Sequence, residues 1–277
     1  MSRTPKHRSI LVSTLFAVLG SAWCATSAAE GSFPGLTAAT APVALSEVVI
    51  NVPAGALTLL QGGQAVATYP VTVGTPSYPT PMGEFTLQRA IWNPWWHPPN
   101  RGWTRGRGPQ APGPNNAMGR VKIYFKPLYF LHGTAETEQL GEPASHGCVR
   151  LANDDIIDLA RRLHVHATPD LDPRVLDALA ANPGKTREIR FDQPVPLRIV
   201  YERVEIEGDR LVVHPDVYRR DGKRSLARQV EAVLADRGLT PREEQLDEVA
   251  RLFYQESGSV ALAGLVAGGV DSYREGG

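Results

Sequence analysis

The chain has 277 residues, and its 29 Lys and Arg residues are balanced by 29 Asp and Glu residues. A chain without excess positive charge lacks the electrostatic footprint of a nucleic-acid-binding protein, so we predict no nucleic-acid partner. Glycine and proline are abundant, at 26 and 23 residues, and they interrupt several valine-rich stretches. This composition favours a loop-rich β protein over a helical bundle.

The first residues have the order of a secretory signal peptide. Three basic residues precede an apolar run over residues 10–23, and small residues follow it as far as residue 29. The run is shorter than the roughly 20 residues that span a bilayer, which favours a cleaved signal over a retained anchor. We therefore predict a signal peptide over residues 1–29, export of the protein, and a Pro- and Ala-rich linker over residues 30–46.

The two cysteines, Cys24 and Cys148, have different fates under this prediction. Cleavage removes Cys24 together with three basic and no acidic residues, so 26 basic residues then face 29 acidic ones, a net charge of −3. A single cysteine in an oxidising compartment cannot form an intrachain disulfide. Cys148 is then a buried inert thiol, a bridge to another chain or a reactive nucleophile.

Strand patterns follow the linker. Residues 47–75 predict three strands, because short β-branched runs alternate with Pro-Ala-Gly and Gln-Gly-Gly turns. Similar runs predict further strands at residues 83–90, 121–131 and 147–151.

The segment NDDIIDLARRL changes to helical spacing, with Asn153 as its predicted N-cap. Cys148 is therefore expected where a strand leads into a helix. Residues 185–213 predict closing strands, with a hairpin turn over residues 207–209.

Two amphipathic patterns, over residues 225–238 and 240–255, predict helices near the end of the sequence. The second begins with Thr240, Pro241 and Glu243, which is the pattern of a capping box with proline at the first helical position.

Two histidines lie close enough in the sequence to activate Cys148. A free thiol titrates near pH 8.5, so a nucleophilic cysteine needs a neighbouring base, and this pairing is typical of acyl transfer. His132 would reach Cys148 from an adjacent strand, whereas His146 is in phase with it on its own strand, and the spacing does not choose between them. Gly147 permits close backbone approach, and the amides at 146–148 are candidate oxyanion donors.

Several sequence pieces together resemble the L,D-transpeptidase (YkuD-type) catalytic domain. SHGCVRL is preceded by the histidine of LHGT and followed by the acidic helix NDDIIDLA, while VGTPSYPTPMGEF and PGPNNAMGR are similar to two further family segments. The resemblance runs from about Glu47 to Leu163, and the closing strands extend it to about Tyr218. It implies a mainly β, sandwich- or barrel-like catalytic domain over residues 47–219, with one helix after the cysteine and a helical C-terminal extension over residues 220–277.

The resemblance also implies roles for individual residues. Cys148 matches the nucleophile that attacks the third residue of a peptidoglycan tetrapeptide stem, releases the terminal D-alanine and forms a thioester. His132 matches the proton donor and acceptor. Gly133 matches the position whose backbone carbonyl orients that imidazole.

The motif around the cysteine carries four more expected site residues. By the resemblance, Ser145, His146 and Gly147 shape the oxyanion site and its hydrogen bonds. Arg150 is expected to be structural or to pair with a substrate carboxylate. The acceptor stays open, because an amine of a second stem, a lysine of an envelope protein and water all fit the motif. The family implies a periplasmic location and no cofactor.

Residues 91–120 contain four of the five tryptophans, interrupted by prolines and glycines. Long loops in compact domains are commonly functional, and clustered tryptophan argues against disorder. We predict a lid or a wall of the donor groove, the alternative being a satellite core. The cations in or beside this segment are Arg101, Arg105, Arg107, Arg120 and Lys122. They are candidates to face the carboxylates of stem peptides, the alternative being exposed arginines without a partner.

Two competing hypotheses belong to other classes. One is a wall-binding module without catalysis, which the intact Cys148 and His132 disfavour. The other is a Cys/His metal site, for which the sequence offers too few well-spaced ligands. We predict no metal, and we expect His164 and His166 to be solvated polar surface.

Overall fold

The computed structural model describes residues 45–254 and 257–265. The predicted signal peptide and almost all of the predicted linker lie outside these residues. The strands are β1 (Ser46–Asn51), β2 (Ala56–Gln61), β3 (Gln64–Pro70), β4 (Val73–Gly74), β5 (Gly83–Trp92), β6 (Val121–Lys126), β7 (Tyr129–Thr134), β8 (Pro143–Ser145), β9 (Val149–Ala152), β10 (Arg187–Val200), β11 (Val204–Glu207), β12 (Arg210–Val213) and β13 (Gly258–Ala261). The helices are α1 (Asn153–Ala167), α2 (Pro173–Ala181), α3 (Lys223–Asp236) and α4 (Glu243–Phe253).

The main sheet has eight strands in the order β3-β2-β1-β10-β5-β6-β7-β9. β1 pairs with β10 and β7 with β9 in parallel, and the other neighbours are antiparallel. Alternating apolar residues give the sheet its buried face: in β1, Val48 and Ile50 have no exposed surface. The mainly β fold with a helix after the cysteine is confirmed, and the short strand β9 lies between Cys148 and this helix.

Helix α1 packs on β6, β7 and β10. Its apolar stripe includes Ile156, Leu159 and Leu163, which are all fully buried. Burial of such a side chain contributes about 1.5–3 kcal/mol, so this stripe holds the helix firmly behind the strands that carry His132 and Cys148.

Residues 121–131, predicted as one strand, instead form the hairpin β6–β7. Pro127 has no N–H to continue the ladder, and Leu128 turns the chain with a φ of +70°. The hairpin places Lys122 directly opposite His132. The turn between β6 and β7 therefore places the positively charged Lys122 beside His132 of the predicted active site.

Helix α2 was absent from the sequence-based prediction. Its signals are local: Pro173 is the first helical residue, and the Asp172 side chain accepts a hydrogen bond from the N–H of Arg174 at 2.9 Å. Helix α4 was predicted, but its capping box at Thr240 was wrong. The helix begins at Glu243, because Arg242 has an extended backbone and its N–H donates to the carbonyl of Leu265.

The C-terminal region has its own core. β11, β12 and β13 form a three-stranded sheet, against which α3 and α4 bury apolar residues. The fully or nearly fully buried members of this core are Val204, Leu211, Val213, Leu226, Val230, Leu234, Val249, Ala250, Leu262 and Leu265. Since the core takes residues from both sides of the boundary predicted at residue 219, we propose a boundary near residue 203.

The buried Arg203 connects separate segments of this C-terminal region. Its guanidinium has no exposed surface and donates to the carbonyls of His214 and Phe253 at 2.9 and 2.8 Å. In the part of the chain that the structure describes, no helix is long and apolar enough to cross a membrane.

Candidate active site

The parallel pair β7–β9 holds the histidine and the cysteine singled out by the sequence. Leu131 lies opposite Val149 and His132 opposite Arg150, so Cys148 is two positions away from His132 across the strand pair. Leu131 and Val149 are fully buried against the core. Because side chains alternate along a strand, His132 and Cys148 share the other face, with Cα atoms roughly 8 Å apart by strand geometry.

His132 is fixed in one tautomer. Its Nδ1 lies 2.9 Å from the carbonyl oxygen of Gly133, and a carbonyl only accepts, so Nδ1 carries the proton and Nε2 the lone pair. The side chain is 3% exposed. Burial, together with the charges of Arg150 and Lys122, lowers the pKa of His132 to about 4, although the hydrogen bond to the Gly133 carbonyl acts in the opposite direction. The imidazole is therefore neutral at pH 7 and able to accept a proton.

The Cys148 thiol is also neutral at pH 7. Burial among protein atoms raises the pKa of Cys148, although the N–H of Phe130 and the charges of Arg150 and Lys122 act in the opposite direction. The thiol donates a weak hydrogen bond to the carbonyl of Leu128 at 3.7 Å. The residue is half-buried, so its sulfur remains approachable.

The turn before the cysteine is braced by Ser145. The Ser145 hydroxyl donates to the carbonyl of Cys148 at 2.6 Å and accepts from the N–H of Gly147 at 3.0 Å. Gly147 has a φ of +101°, and a Cβ there would lie 2.8 Å from the Tyr129 ring and 3.3 Å from the carbonyl of Pro79. Only glycine therefore fits this position without strain and collision.

The segment VGTPSYPTP packs directly on this turn. Gly74 pairs with Ser145, and a Cβ on Gly74 would lie 2.9 Å from the Cα of Gly147. The N–H of Gly74 donates to the Thr80 hydroxyl at 2.8 Å, which closes the segment into a tight loop. This contact explains why two motifs about 70 residues apart in the sequence occur together.

Tyr218 anchors that loop from the C-terminal side of the chain. Its hydroxyl donates to the carbonyl of Gly74 and accepts from the N–H of Thr80, both at 3.0 Å. Tyr201 stacks on Tyr218, with ring centroids 5.6 Å apart, and its hydroxyl accepts from the N–H of Tyr218 at 2.8 Å. No local sequence signal indicates this role of Tyr218, because its partners lie 138 and 144 residues away.

Asn153 has a different role from the predicted N-cap. It is the first residue of α1, which Ala152 precedes without a side-chain cap. Its carboxamide instead accepts from the N–H of Arg120 and donates to the carbonyl of Pro114, both at 2.9 Å. Asn153 thus attaches the end of the tryptophan-rich loop to the start of α1.

That loop contributes one tryptophan to the predicted site. Trp103 stacks on His146 with a centroid distance of 4.3 Å and an interplanar angle of 17°. Tyr78 packs on His146 as well, at 4.8 Å. Trp92 and Trp96 are buried at 0% and 4% exposure, so they pack in the interior.

His146 is exposed between the Trp103 and Tyr78 rings. Partial burial and the charge of Arg150 lower its pKa. His146 lies two residues before Cys148, so its exposed imidazole, packed between two aromatic rings, borders the turn that carries the sulfur. Which tryptophan of the loop would contact it was not predictable from the sequence.

The predicted cations divide into three groups. Arg120 has a structural role, because its guanidinium donates to Asn93 Oδ1 at 3.0 Å and to the carbonyl of Ala180 at 2.6 Å. Lys122 lies over the rings of Tyr124 and Phe130 at 5.0 and 4.9 Å. The expectation that Arg120 faces substrate was therefore wrong.

Arg150 forms an ion pair with Glu136 at 2.9 Å and donates to Gln139 at 3.2 Å. Both contacts use one guanidinium nitrogen.

The third group of predicted cations comprises Arg101, Arg105 and Arg107. These arginines are exposed and line a cavity of about 430 Å³ within the loop.

His164 and His166, in the last turn of α1, are core residues. The expectation that they are solvated surface was therefore wrong. His164 Nε2 accepts from the Trp92 indole at 3.2 Å, and Nδ1 donates to the Thr168 hydroxyl at 2.9 Å. His164 and His166 are 2% and 4% exposed. Among the described residues, no three His, Cys, Asp or Glu side chains are grouped to hold a metal ion.

Fold and site together define a mainly β domain with a histidine and a cysteine on neighbouring strands. The model of the YkuD L,D-transpeptidase catalytic domain matches residues 46–187, just over half of the chain. The chain belongs to this family of acyltransferases.

Similar curated proteins carry the same description. Probable L,D-transpeptidase YbiS of Escherichia coli K12 is 27% identical over 186 residues, which cover 58% of this chain and 61% of that protein. Putative L,D-transpeptidase YkuD of Bacillus subtilis 168 is 30% identical over 114 residues, 41% of this chain and 57% of that protein. The matched region thus spans about three fifths of the length of these relatives.

Solved structures with similarity include the catalytic domain of an Enterococcus faecium L,D-transpeptidase, at 11% identity and a TM-score of 0.35, covering 58% of this chain and all of that domain. An L,D-transpeptidase from Mycobacterium tuberculosis H37Rv has 14% identity and a TM-score of 0.35, covering 57% of this chain and 58% of that one.

Proposed function

We propose that this chain is a peptidoglycan L,D-transpeptidase in which Cys148 is the nucleophile. The sulfur attacks the carbonyl of the third residue of a tetrapeptide stem, the terminal D-alanine leaves, and a thioester remains. The observation that carries this proposal is His132, a buried neutral imidazole on the neighbouring strand, with its basic Nε2 fixed by the carbonyl of Gly133.

The two opposed pKa shifts indicate how the proton moves. Because the pKa of Cys148 is raised and that of His132 is lowered, the resting site is a neutral pair and not a thiolate–imidazolium pair. The thiol proton passes to His132 Nε2 as the sulfur–carbon bond forms, and His132 then gives it to the departing amine of D-alanine. The same imidazole takes a proton from the acceptor amine in the second half-reaction.

Backbone donors near the cysteine are proposed to stabilise the oxyanion. The N–H of Gly147 already donates to Ser145, so we assign this role to the N–H of Cys148, positioned by the Gly147 turn. His146 would border the oxyanion as an aromatic wall. Ser145 and Gly133 would act on substrate indirectly, by fixing the turn and the imidazole.

Arg150 is proposed to bind a substrate carboxylate. Glu136 and Gln139 share one of its guanidinium nitrogens, and in the described residues no acceptor engages the others. The positive charge of Arg150 also lowers the pKa of Cys148 and the pKa of His132, so it favours the anionic form of the sulfur and disfavours the cationic form of the imidazole. A carboxylate that binds there would offset this charge.

The acceptor and the location are further parts of the proposal. An amine from a second stem would give a 3-3 crosslink, a lysine would attach an envelope protein, and water would make the enzyme an L,D-carboxypeptidase. We propose that the protein is exported to the periplasm, where its stem-peptide substrate lies. Mass spectrometry of muropeptides after incubation with a tetrapeptide donor and several amines identifies the acceptor.

The nucleophile is tested with a carbapenem, a β-lactam that acylates thiols. Intact-protein mass spectrometry should show the adduct on the native chain and none on Cys148→Ala, while His132→Ala should slow its formation about 100-fold or more. His97→Ala is the control, because His97 is an exposed histidine in the tryptophan-rich loop.

Adduct formation that persists in Cys148→Ala would contradict the assignment of the nucleophile. Binding of sacculi without any release of D-alanine by the native chain would favour the wall-binding module.

A further inference from the structure

The loop that contacts His146 borders an open cavity of about 430 Å³. Residues 98–107, apart from Trp103, line it. The segment is closed by its own hydrogen bonds: the N–H of Arg101 donates to the carbonyl of Pro99 at 2.8 Å, and that of Arg107 to the carbonyl of Thr104 at 3.0 Å. The buried Thr104 hydroxyl donates to the carbonyl of Arg101 at 2.9 Å. The cavity is therefore a feature of the loop's own fold.

Three cations line this cavity, and no carboxylate does. Arg101, Arg105 and Arg107 belong to the lining, and none of them forms an ion pair within the described residues. Other arginines of the sheet and of α1 have carboxylate partners, such as Arg89 with Glu188 at 3.1 Å. Three like charges gathered without a counter-charge repel one another, and an anion would relieve this repulsion.

The cavity lies beside the candidate active site. Trp103, which stands in the middle of the lining segment, stacks on His146 at 4.3 Å, and His146 is two residues from Cys148. One bound molecule can therefore extend from the arginines to the turn that carries the sulfur.

We propose that Arg101, Arg105 and Arg107 form a site for a carboxylate of the peptidoglycan peptide, and this proposal rests on the proposed transpeptidase function. Guanidinium groups bind carboxylates through paired N–H donors with good geometry. A volume of about 430 Å³ accommodates one carboxylate-bearing side chain with its backbone and is small for a disaccharide-peptide. Phosphate has the same chemistry as a ligand, so the experiment distinguishes the two.

The test compares a tetrapeptide donor that has free side-chain carboxylates with the same donor after amidation. For Arg105→Gln/Arg107→Gln, we expect kcat/KM on the acidic donor to fall about tenfold or more, through KM, and to change less than twofold on the amidated donor. Arg174→Gln/Arg190→Gln is the matched control, because it removes the same charge from two arginines that are 89% and 80% exposed outside the loop.

Three outcomes would overturn the proposal. An equal loss on both donors would indicate a structural role, and an equal loss in the control would indicate bulk electrostatics. Inhibition by millimolar inorganic phosphate but not by acetate, with no distinction between donors, would assign the site to phosphate.

Alkylation of Cys148 by neutral iodoacetamide should proceed at the native rate in both double variants, and a slower rate would show that the loop change had damaged the site itself. Failure of the proposed function is separate, because the native chain would then release D-alanine from neither donor.

Discussion

The two sides of the candidate site are held in different ways. His132 and Cys148 lie on paired strands whose opposite face is fully buried, so their positions follow from strand register. Trp103 and the cavity arginines lie on a loop that is closed by its own hydrogen bonds and is joined at its end to Asn153 of α1. We infer that the sheet supports the chemistry and the loop supports the choice of substrate.

Gly147→Ala should have the largest effect on the strand side. The substitution combines a φ of +101° with a contact of 2.8 Å to the Tyr129 ring, so the turn that carries the sulfur must move. We expect a loss of at least about 100-fold in the rate of carbapenem acylation, since a shift of about 1 Å has this effect on aligned groups. Stopped-flow acylation measures it.

Gly63→Ala is the control for backbone strain. Gly63 has a φ of +81° with no atom within 4 Å of an added Cβ, so it should lose about 1–2 kcal/mol of stability and keep its acylation rate. Similar acylation rates in the two variants would contradict tight packing at the Cys148 turn.

The buried imidazole should make stability depend on pH. The pKa of His132 is about 4 in the folded chain and about 6.5 in an unfolded one. Between these values the unfolded chain binds a proton that the folded chain does not, so stability falls as the pH decreases from 6.5 to 4 and levels off below it. The loss due to His132 is about 3 kcal/mol.

Urea unfolding at several pH values, compared between the native chain and His132→Gln, isolates this contribution, because His164 titrates in both. His146→Gln should change the pH dependence less, since His146 is exposed in the loop contact. Identical pH dependence in the native chain and His132→Gln would show that the imidazole is not desolvated.

The strands and their motifs were largely predictable from the sequence. Short β-branched runs between turn residues located β1, β2, β3 and β5, and helical spacing located α1, α3 and α4. The hairpin at Pro127 was missed because two short strands with an apolar turn give one continuous apolar pattern. The closeness of Cys148 and a histidine was expected, but only the strand register and the Gly133 carbonyl distinguish His132 from His146 geometrically.

Contacts between distant segments were not predictable. His164 is four residues after the buried Ala160, at the edge of the apolar stripe of α1, but its polar ring favoured a surface position. The Trp92 indole and the Thr168 hydroxyl satisfy both ring nitrogens and allow its burial. Asn153 has a good capping sequence, yet its carboxamide bonds to Arg120 and Pro114 instead. In each case a tertiary partner replaced the local role that the residue type favours.

Substitutions in the tryptophan-rich loop should have smaller effects than those on the strands, and these effects should appear in substrate binding. Trp103→Ala removes the ring stacked on His146 at 4.3 Å, and aromatic pairs of this kind contribute about 0.5–1.5 kcal/mol. We expect KM for the tetrapeptide donor to rise about two- to tenfold, with little change in the urea midpoint, because Trp103 is 41% exposed. Trp95→Ala is the matched control: Trp95 is in the same loop, is 46% exposed and stacks on His97 instead. Equal effects of the two substitutions on KM would mean that the contact with His146 has no specific role. A loss of kcat in Trp103→Ala alone would indicate that Trp103 supports the chemical step instead of substrate binding.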